Sequence, residues 1–171
     1  MSFQITPLKP RPEVISALAD LLVETVTHHG SVGFMHPLER STAEGFWRAS
    51  LASSERGERV ILGAYDGKEL VGTVSLLLNC PPNQAHRAEL AKMMTRLSRR
   101  GQGVASALVL EAERIALEQG RTLLNLDTAE DEGAAGFYEK LGYQRTGVIP
   151  DYALKPHGGL TGTVIYWKRL G

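Results

Sequence analysis

Six residues, Arg100-Gly101-Gln102-Gly103-Val104-Ala105, combine the types and spacing of an anion site. They follow the run Glu89-Leu90-Ala91-Lys92-Met93-Met94, which reads as a strand, and open an apolar-periodic helix near Gly103. Glycine lets a backbone come close to an anion, and the first N–H groups of a helix have no intrahelical partner. The helix dipole adds partial positive charge at that end, and Arg100 adds a full one. Strand, glycine turn and helix N-terminus together predict a phosphate loop. The spacing narrows the ligand. A triphosphatase loop needs a lysine after its last glycine, and none follows here. A dinucleotide loop needs a third glycine where Ser106 stands.

The elements that must position this loop read as an α/β or α+β succession. Phe3 to Leu8 is an expected strand, and Pro12 suits the first turn of a helix. Ile15, Leu18, Leu22 and Val26 recur at helical spacing up to Gly30. A second helix is expected from Thr42 to Ser53, with Ser41 as N-cap and Glu44 in a capping box. Val60 to Tyr65 and Leu70 to Leu78 read as strands joined at the hairpin signal Asp66-Gly67. A strand from Glu89 to Arg96 then runs into the loop. The helix from Gly103 to Gln119 carries Val104, Leu108, Ala112 and Ile115 on one face, and Gly120 ends it. Thr122 to Asp127 reads as a short buried strand, Ala134 to Tyr143 as a helix with a loop, and Tyr143 to Val148 and Thr163 to Trp167 as closing strands.

Composition bounds the function classes. The 171 residues suit one domain, residues 1–171. Nineteen basic residues balance nineteen acidic ones, so bulk charge favours neither nucleic acid nor a membrane surface. Cys80 is the only cysteine, which excludes an intrachain disulfide and a thiolate metal cluster. It follows Leu76-Leu77-Leu78-Asn79 and is expected to be a buried structural thiol. His28 and His29 point apart on a helix, and His86 and His157 lack ligand spacing, so no metal is expected. The N-terminus lacks a secretory pattern, and no run reaches the roughly 18 apolar residues of a spanning helix. A soluble, cytoplasmic protein is expected.

The Arg-x-x-Gly-x-Ala pattern at 100–105 and the run Ala134-Ala135-Gly136-Phe137-Tyr138-Glu139-Lys140-Leu141-Gly142-Tyr143 resemble two motifs of the GNAT superfamily of N-acetyltransferases. The element order resembles that superfamily along essentially the whole chain. The resemblance implies a mixed central sheet of about seven strands with about four helices. It also implies fourth and fifth strands splayed around an acetyl-coenzyme A site. The cofactor would lie against Met94, Thr95, Arg96, Arg99, Arg100, Gly101, Gln102, Gly103, Val104, Ala105 and Ser106. Leu97 and Asp131 depart from the superfamily, which often has proline and asparagine there.

Shorter stretches narrow the likeness. Glu24-Thr25-Val26, Ser31-Val32-Gly33-Phe34-Met35, Arg87-Ala88-Glu89, Leu126-Asp127-Thr128 and Thr163-Val164-Ile165-Tyr166 resemble the tabtoxin-resistance acetyltransferases, which act on a small amino-acid-like toxin. An alkyl ammonium has a pKa of about 10.4, so it must lose a proton before attacking a thioester. The resemblance implies that Glu89 and Asp127 bind the amine or accept that proton, and that the Tyr138 phenol donates to the departing thiolate. Phe34, Met35, Glu89, Asp127 and Tyr152 would contact the acceptor. Plainer readings stand beside these. Glu89 pairs with Arg87 or Lys92; Asp127 caps a helix; Tyr138 is a core aromatic, although Phe137 is expected to serve the core while Tyr138 faces elsewhere. Cys80 has no visible base partner, which favours direct transfer. The expected function is acetylation of a small-molecule amine by a monomer or homodimer, without nucleic acid or membrane. The alternatives are a coenzyme A-binding sensor and a protein N-acetyltransferase.

Overall fold

Two apolar stripes buried on opposite faces of one sheet organise the chain. The computed structural model describes residues 2–171. Its elements are β1 (Gln4–Pro7), α1 (Pro12–Thr27), α2 (Arg40–Glu55), β2 (Arg59–Asp66), β3 (Glu69–Leu77), β4 (Arg87–Thr95), α3 (Val104–Glu118), β5 (Leu123–Ala129), α4 (Ala135–Lys140), β6 (Gln144–Leu154) and β7 (Leu160–Arg169). The strands form one seven-stranded sheet in the order β1-β2-β3-β4-β5-β7-β6. Neighbours are antiparallel except β4 and β5, which are parallel.

Helical periodicity decides which side chains fill each layer. α1 starts with Pro12 in its first turn and buries Val14, Leu18, Leu22 and Val26. With Trp47 and Leu51 of α2 these cover Ile61, Leu70 and Met94 on one face of the sheet. On the other face α3 packs Val104, Leu108 and Ala112 against Leu62, Val74, Leu90, Leu124 and Leu126. Each such fully buried aliphatic side chain contributes about 1.5–3 kcal/mol relative to exposure.

Some boundaries differ from expectation. α2 begins at Arg40 with Glu39 as the cap residue and no side-chain cap, so Ser41 is not the N-cap. A tertiary tie explains the earlier start: Arg40 reaches Asp20 and the Ser16 hydroxyl on α1. Glu44 pairs with Arg40 at 3.1 Å instead of closing a capping box. In the first hairpin Asp66 still pairs with Glu69, and Gly67 and Lys68 form the turn with Gly67 at φ 60. Cys80 is only half-buried, because its segment lies past the end of β3; its thiol donates to the Arg87 carbonyl at 3.4 Å.

Two irregularities shape the site. β4 and β5 pair only at Arg87–Leu123, Ala88–Leu124 and Glu89–Asn125. Beyond that, β4 stays with β3 and β5 stays with β7, and the two strands part. The second is a bulge in β4. Thr73 pairs with Met94 and Ser75 with Ala91, so three steps on β4 match two on β3. Lys92 sits in that bulge at φ 54.

Candidate active site

A cavity of about 820 Å³ opens where β4 and β5 separate. Its walls come from the Gly30–Phe34 loop, β4 from Glu89 onward, the glycine loop with the start of α3, the end of β5, α4, and the β6–β7 hairpin. Three regions of this one space differ in chemistry.

The first region is the glycine loop. Gly101 and Gly103 have φ of 75 and 88, backbone that only glycine adopts freely. Nothing lies within 4 Å of a Cβ placed on either, so the approach to their backbone is open. The first bond of the α3 turn runs from the Ala107 N–H to the Gly103 carbonyl at 3.1 Å. The N–H groups of Val104, Ala105 and Ser106 therefore have no intrahelical acceptor. Arg100 is exposed and, among the described residues, forms no ion pair. Arg99 lines the cavity, but its guanidinium is engaged by Asp66 at 2.8 Å and Glu69 at 3.1 Å. Arg96 turns toward α1 and meets Glu24 at 3.4 Å, and the Gln102 amide donates to the Ser98 carbonyl at 3.3 Å. Neither Arg96 nor Gln102 lines the cavity, whereas Met94, Thr95 and Val104 to Ser106 do.

The second region lies at the strand gap. Leu90 and Leu126 are buried under α3, so their neighbours Glu89 and Asp127 project to the opposite face. Burial raises the Glu89 carboxyl above its ordinary range; the nearby charge of Asp127 adds to this, and Arg87 and Lys92 oppose it. No ion pair holds Glu89 among the described residues, because Arg87 is engaged with Gln84 and with Asn125 at 2.8 Å. Asp127 does not cap α4, whose cap residue is Ala134. Its Oδ2 instead accepts from the Thr163 hydroxyl at 2.7 Å.

Tyr138 borders the same gap. The expected division between it and Phe137 is reversed: Tyr138 is 6% exposed, while Phe137 is only partly buried. Its ring packs edge-on against Phe137 and Tyr143 at centroid distances of 4.9 and 5.7 Å. One turn of α4 faces both the core and the cavity, so a buried ring still lines the space. Burial pushes its phenol up to about 12. It stays a proton donor across the physiological range.

The third region is a mixed apolar and polar pocket. Phe34 lines it and packs edge-on against Phe46 at 5.1 Å. Tyr152 lines it from β6 and remains 56% exposed. Met35 is 46% exposed and does not line the cavity, because the loop turns outward after Phe34.

Comparison with known proteins shows the family of the chain. The model of the acetyltransferase (GNAT) family matches residues 18–143, which include β4, the glycine loop, α3 and the aromatic helix. The chain belongs to the GNAT acetyltransferase family. N-acetyltransferase 8 of Rattus norvegicus is 36% identical over 86 residues, covering 49% of this GNAT chain and 39% of that protein. N-acetyltransferase 8F1 of the same organism is 35% identical over 86 residues, with the same coverage. The chain thus spans about two fifths of the length of the curated relatives it matches. An N-acetyltransferase of Staphylococcus aureus superposes with a TM-score of 0.83 over 100% of both chains at 16% identity. An acetyltransferase of Salmonella typhimurium, described with its cofactor acetyl-CoA, superposes with a TM-score of 0.80 at 13% identity, covering 100% of this chain and 95% of its own. At these identities the likeness is one of fold, and the mixed sheet with its parted strands is the GNAT fold.

Several residues of this GNAT cavity escape a sequence reading. Thr163 is recognised only when β7 is paired with β5. Glu132 accepts from the Ser31 N–H and closes one wall. Outside the cavity lining, the His157 ring stacks on His36 at a centroid distance of 4.1 Å and meets His29 at a tilt at 4.2 Å, and the His36 N–H donates to the Pro156 carbonyl at 2.8 Å. That stack ties the Gly30–Phe34 loop to the β6–β7 hairpin across more than a hundred residues. No group of three or more potential ligands arranged to hold a metal occurs among the described residues. No helix among them is long and apolar enough to cross a membrane. Lys92 is the most consequential omission, since only the bulge places it in the cavity.

Proposed function

We propose that this GNAT chain transfers the acetyl group of acetyl-coenzyme A directly to the amino group of a small, amino-acid-like molecule, within one domain spanning residues 1–171. One observation carries the reading. A single cavity runs from the free N–H groups at the glycine loop to two carboxylates and a buried phenol at the strand gap. The short stretches similar to tabtoxin-resistance enzymes support an amino-acid-like acceptor.

The loop fits the cofactor's pyrophosphate. Its left-handed glycines, open approach, unpartnered N–H groups and exposed Arg100 form a cationic cradle. Beyond Glu89 the edge of β4 has lost β5 and is free to pair with the pantetheine amides. Bound there, acetyl-coenzyme A supplies a thioester whose acetyl carbon bonds to the amine nitrogen as the carbon–sulfur bond breaks. Asp127, fixed by Thr163, orients the ammonium. Glu89, held by burial closer to neutrality than an ordinary carboxylate, is the better proton acceptor of the two. Tyr138 holds a proton on its hydroxyl for the leaving sulfur. Cys80 lies outside the cavity lining, so direct transfer suits the site better than an acetyl-cysteine.

The test is thiol release from acetyl-coenzyme A with a panel of small amines, β-lactam amino acids included. Turnover with small amines is expected. Tight cofactor binding without turnover on any amine would favour a sensor, and turnover only on protein tails would favour a protein acetyltransferase.

A further inference from the structure

Lys92 faces the side of the sheet that a regular strand would deny it. By alternation it would follow Leu90 toward α3. The bulge breaks the alternation: Leu90 packs under α3, whereas Met94 is buried beneath α1 and α2. Lys92 sits at the break with φ 54, a conformation that non-glycine residues keep only where the surroundings hold them. Bulges beside sites re-aim a side chain in this way. Here the bulge delivers an ammonium to the cavity wall that also carries Glu89 and Asp127.

That ammonium has no partner. Among the described residues Lys92 forms neither an ion pair nor a side-chain hydrogen bond. Its Nζ lies 5.8 Å from the centroid of the Phe46 ring, and a Cβ on Gly33 would stand 3.3 Å from it. Gly33 has φ 91, so the acceptor loop passes close over the lysine without a side chain. Burial lowers the Lys92 pKa; Asp127 from across the gap and Glu89 from the same strand oppose that, and Arg59 on β2 adds to it. A partly desolvated cation without a counter-ion is unfavourable unless something else supplies the charge.

Resting on the reading of this cavity as an amine-acceptor site, we infer that Lys92 binds an anionic group of the acceptor, so that the substrate is an amine bearing a carboxylate or a similar small anion. The two ends of the molecule are then read by opposite charges. Glu89 and Asp127 take the ammonium, Lys92 takes the anion, and Phe34, backed edge-on by Phe46, supplies an apolar wall. Lys92 and Glu89 are three residues apart on one strand, so their backbones lie within roughly 10 Å. That span suits an amino acid. An amine lacking the anion would leave Lys92 unpaired, which is how a buried polar group rejects an incomplete ligand.

The experiment compares wild type, Lys92→Met and Lys92→Arg by thiol release from acetyl-coenzyme A. The acceptors are free amino acids and their C-terminal amides. Wild type is expected to favour acid over amide. In Lys92→Met the acid-to-amide ratio of kcat/KM should fall roughly 10- to 100-fold, the range of a hydrogen bond to a charged group, mainly through KM for the acid. Lys92→Arg should retain most of the preference. Comparing the ratio between variants cancels the lower amine pKa of the amides. Acetyl-coenzyme A affinity, measured by calorimetry, should be the same in all three. Turnover with an unchanged ratio in Lys92→Met would overturn the role of Lys92 and leave small-amine acetylation standing. Cofactor binding without turnover on any acceptor would overturn both.

Discussion

The Thr163 hydroxyl, on a residue 4% exposed, donates to Oδ2 of Asp127 at 2.7 Å across the β5–β7 pair. One carboxylate oxygen is thereby tethered to the neighbouring strand in a residue that lines the cavity. A carboxylate on an open strand edge would otherwise sample several rotamers, and ordering it would fall to the substrate.

Thr163→Val keeps the shape and deletes the donor. It should lower kcat/KM for the amine by about tenfold, the scale of a hydrogen bond to a charged group. Acetyl-coenzyme A affinity should not change, because Thr163 lies at the carboxylates and not at the glycine loop. Steady-state kinetics with calorimetric titration checks both. An equal loss in cofactor affinity would mean that the substitution disturbs the sheet.

Glu89 and Lys92 each carry charge at the expense of stability. Glu89 has a folded pKa above its unfolded one, so its ionised form opposes folding once pH rises past that value. Glu89→Gln should therefore raise the melting temperature at pH 7 while lowering activity, and the gain should vanish below about pH 4.3, where the carboxyl is protonated in both states. Lys92 is the mirror case, with a folded pKa below the unfolded one. Lys92→Met should also melt higher at pH 7, and its gain should fade above about pH 10.4. Melting curves across pH decide this. Destabilisation at neutral pH would mark either residue as a structural ion.

The legible and hidden parts of the site divide by range. Gly101, Gly103 and the α3 periodicity are local, and a few adjacent residues specify them without help from elsewhere. The strand order and the parting of β4 from β5 came with the family resemblance. What stayed hidden depends on distant partners. The expected capping box at Ser41 gave way to a contact between Arg40 and α1. Met35 and Arg96 were placed by the loop path and by Glu24. The direction of Lys92 inverts with one extra residue in the strand, which no alternating pattern announces. The exchange of places between Phe137 and Tyr138 falls on a six-residue helix, too short to show a periodic face.

Tyr138 carries a second test. Its phenol is pushed up to about 12 by burial, so it remains protonated across the physiological range. Tyr138→Phe leaves the edge-on packing with Phe137 and Tyr143 in place and should preserve the melting temperature. If the hydroxyl serves the leaving sulfur, kcat should drop by roughly 10²-fold with little change in cofactor affinity. Wild-type kcat under conditions where chemistry limits the rate would return Tyr138 to the core.

Gly72 offers a test from beneath the site. It lies on β3 under the first turn of α3, and a Cβ there would stand 2.6 Å from Val104 Cγ1, 3.0 Å from the Met94 carbonyl and 3.2 Å from Leu108 Cδ1. Val104 is β-branched and stiff, and the carbonyl is backbone, so the first turn itself must move. That turn presents the N–H groups assigned to the pyrophosphate. Gly72→Ala should destabilise the fold by about 1–3 kcal/mol, as overpacking does, and should weaken acetyl-coenzyme A binding without touching the ligand. Gly103→Ala should weaken binding by another route. Its Cβ meets nothing within 4 Å, but its φ of 88 opposes an L side chain by about 1–2 kcal/mol. Gly45→Ala, in α2 with open space around its Cβ, is the control and should stabilise the helix by up to about 1 kcal/mol with binding unchanged. Calorimetric titration and thermal melts on the three variants separate these effects. If Gly72→Ala lost stability yet bound acetyl-coenzyme A as tightly as wild type, the position of α3 would not set the phosphate site, and the cradle would have to be formed by Gly101 to Gly103 alone.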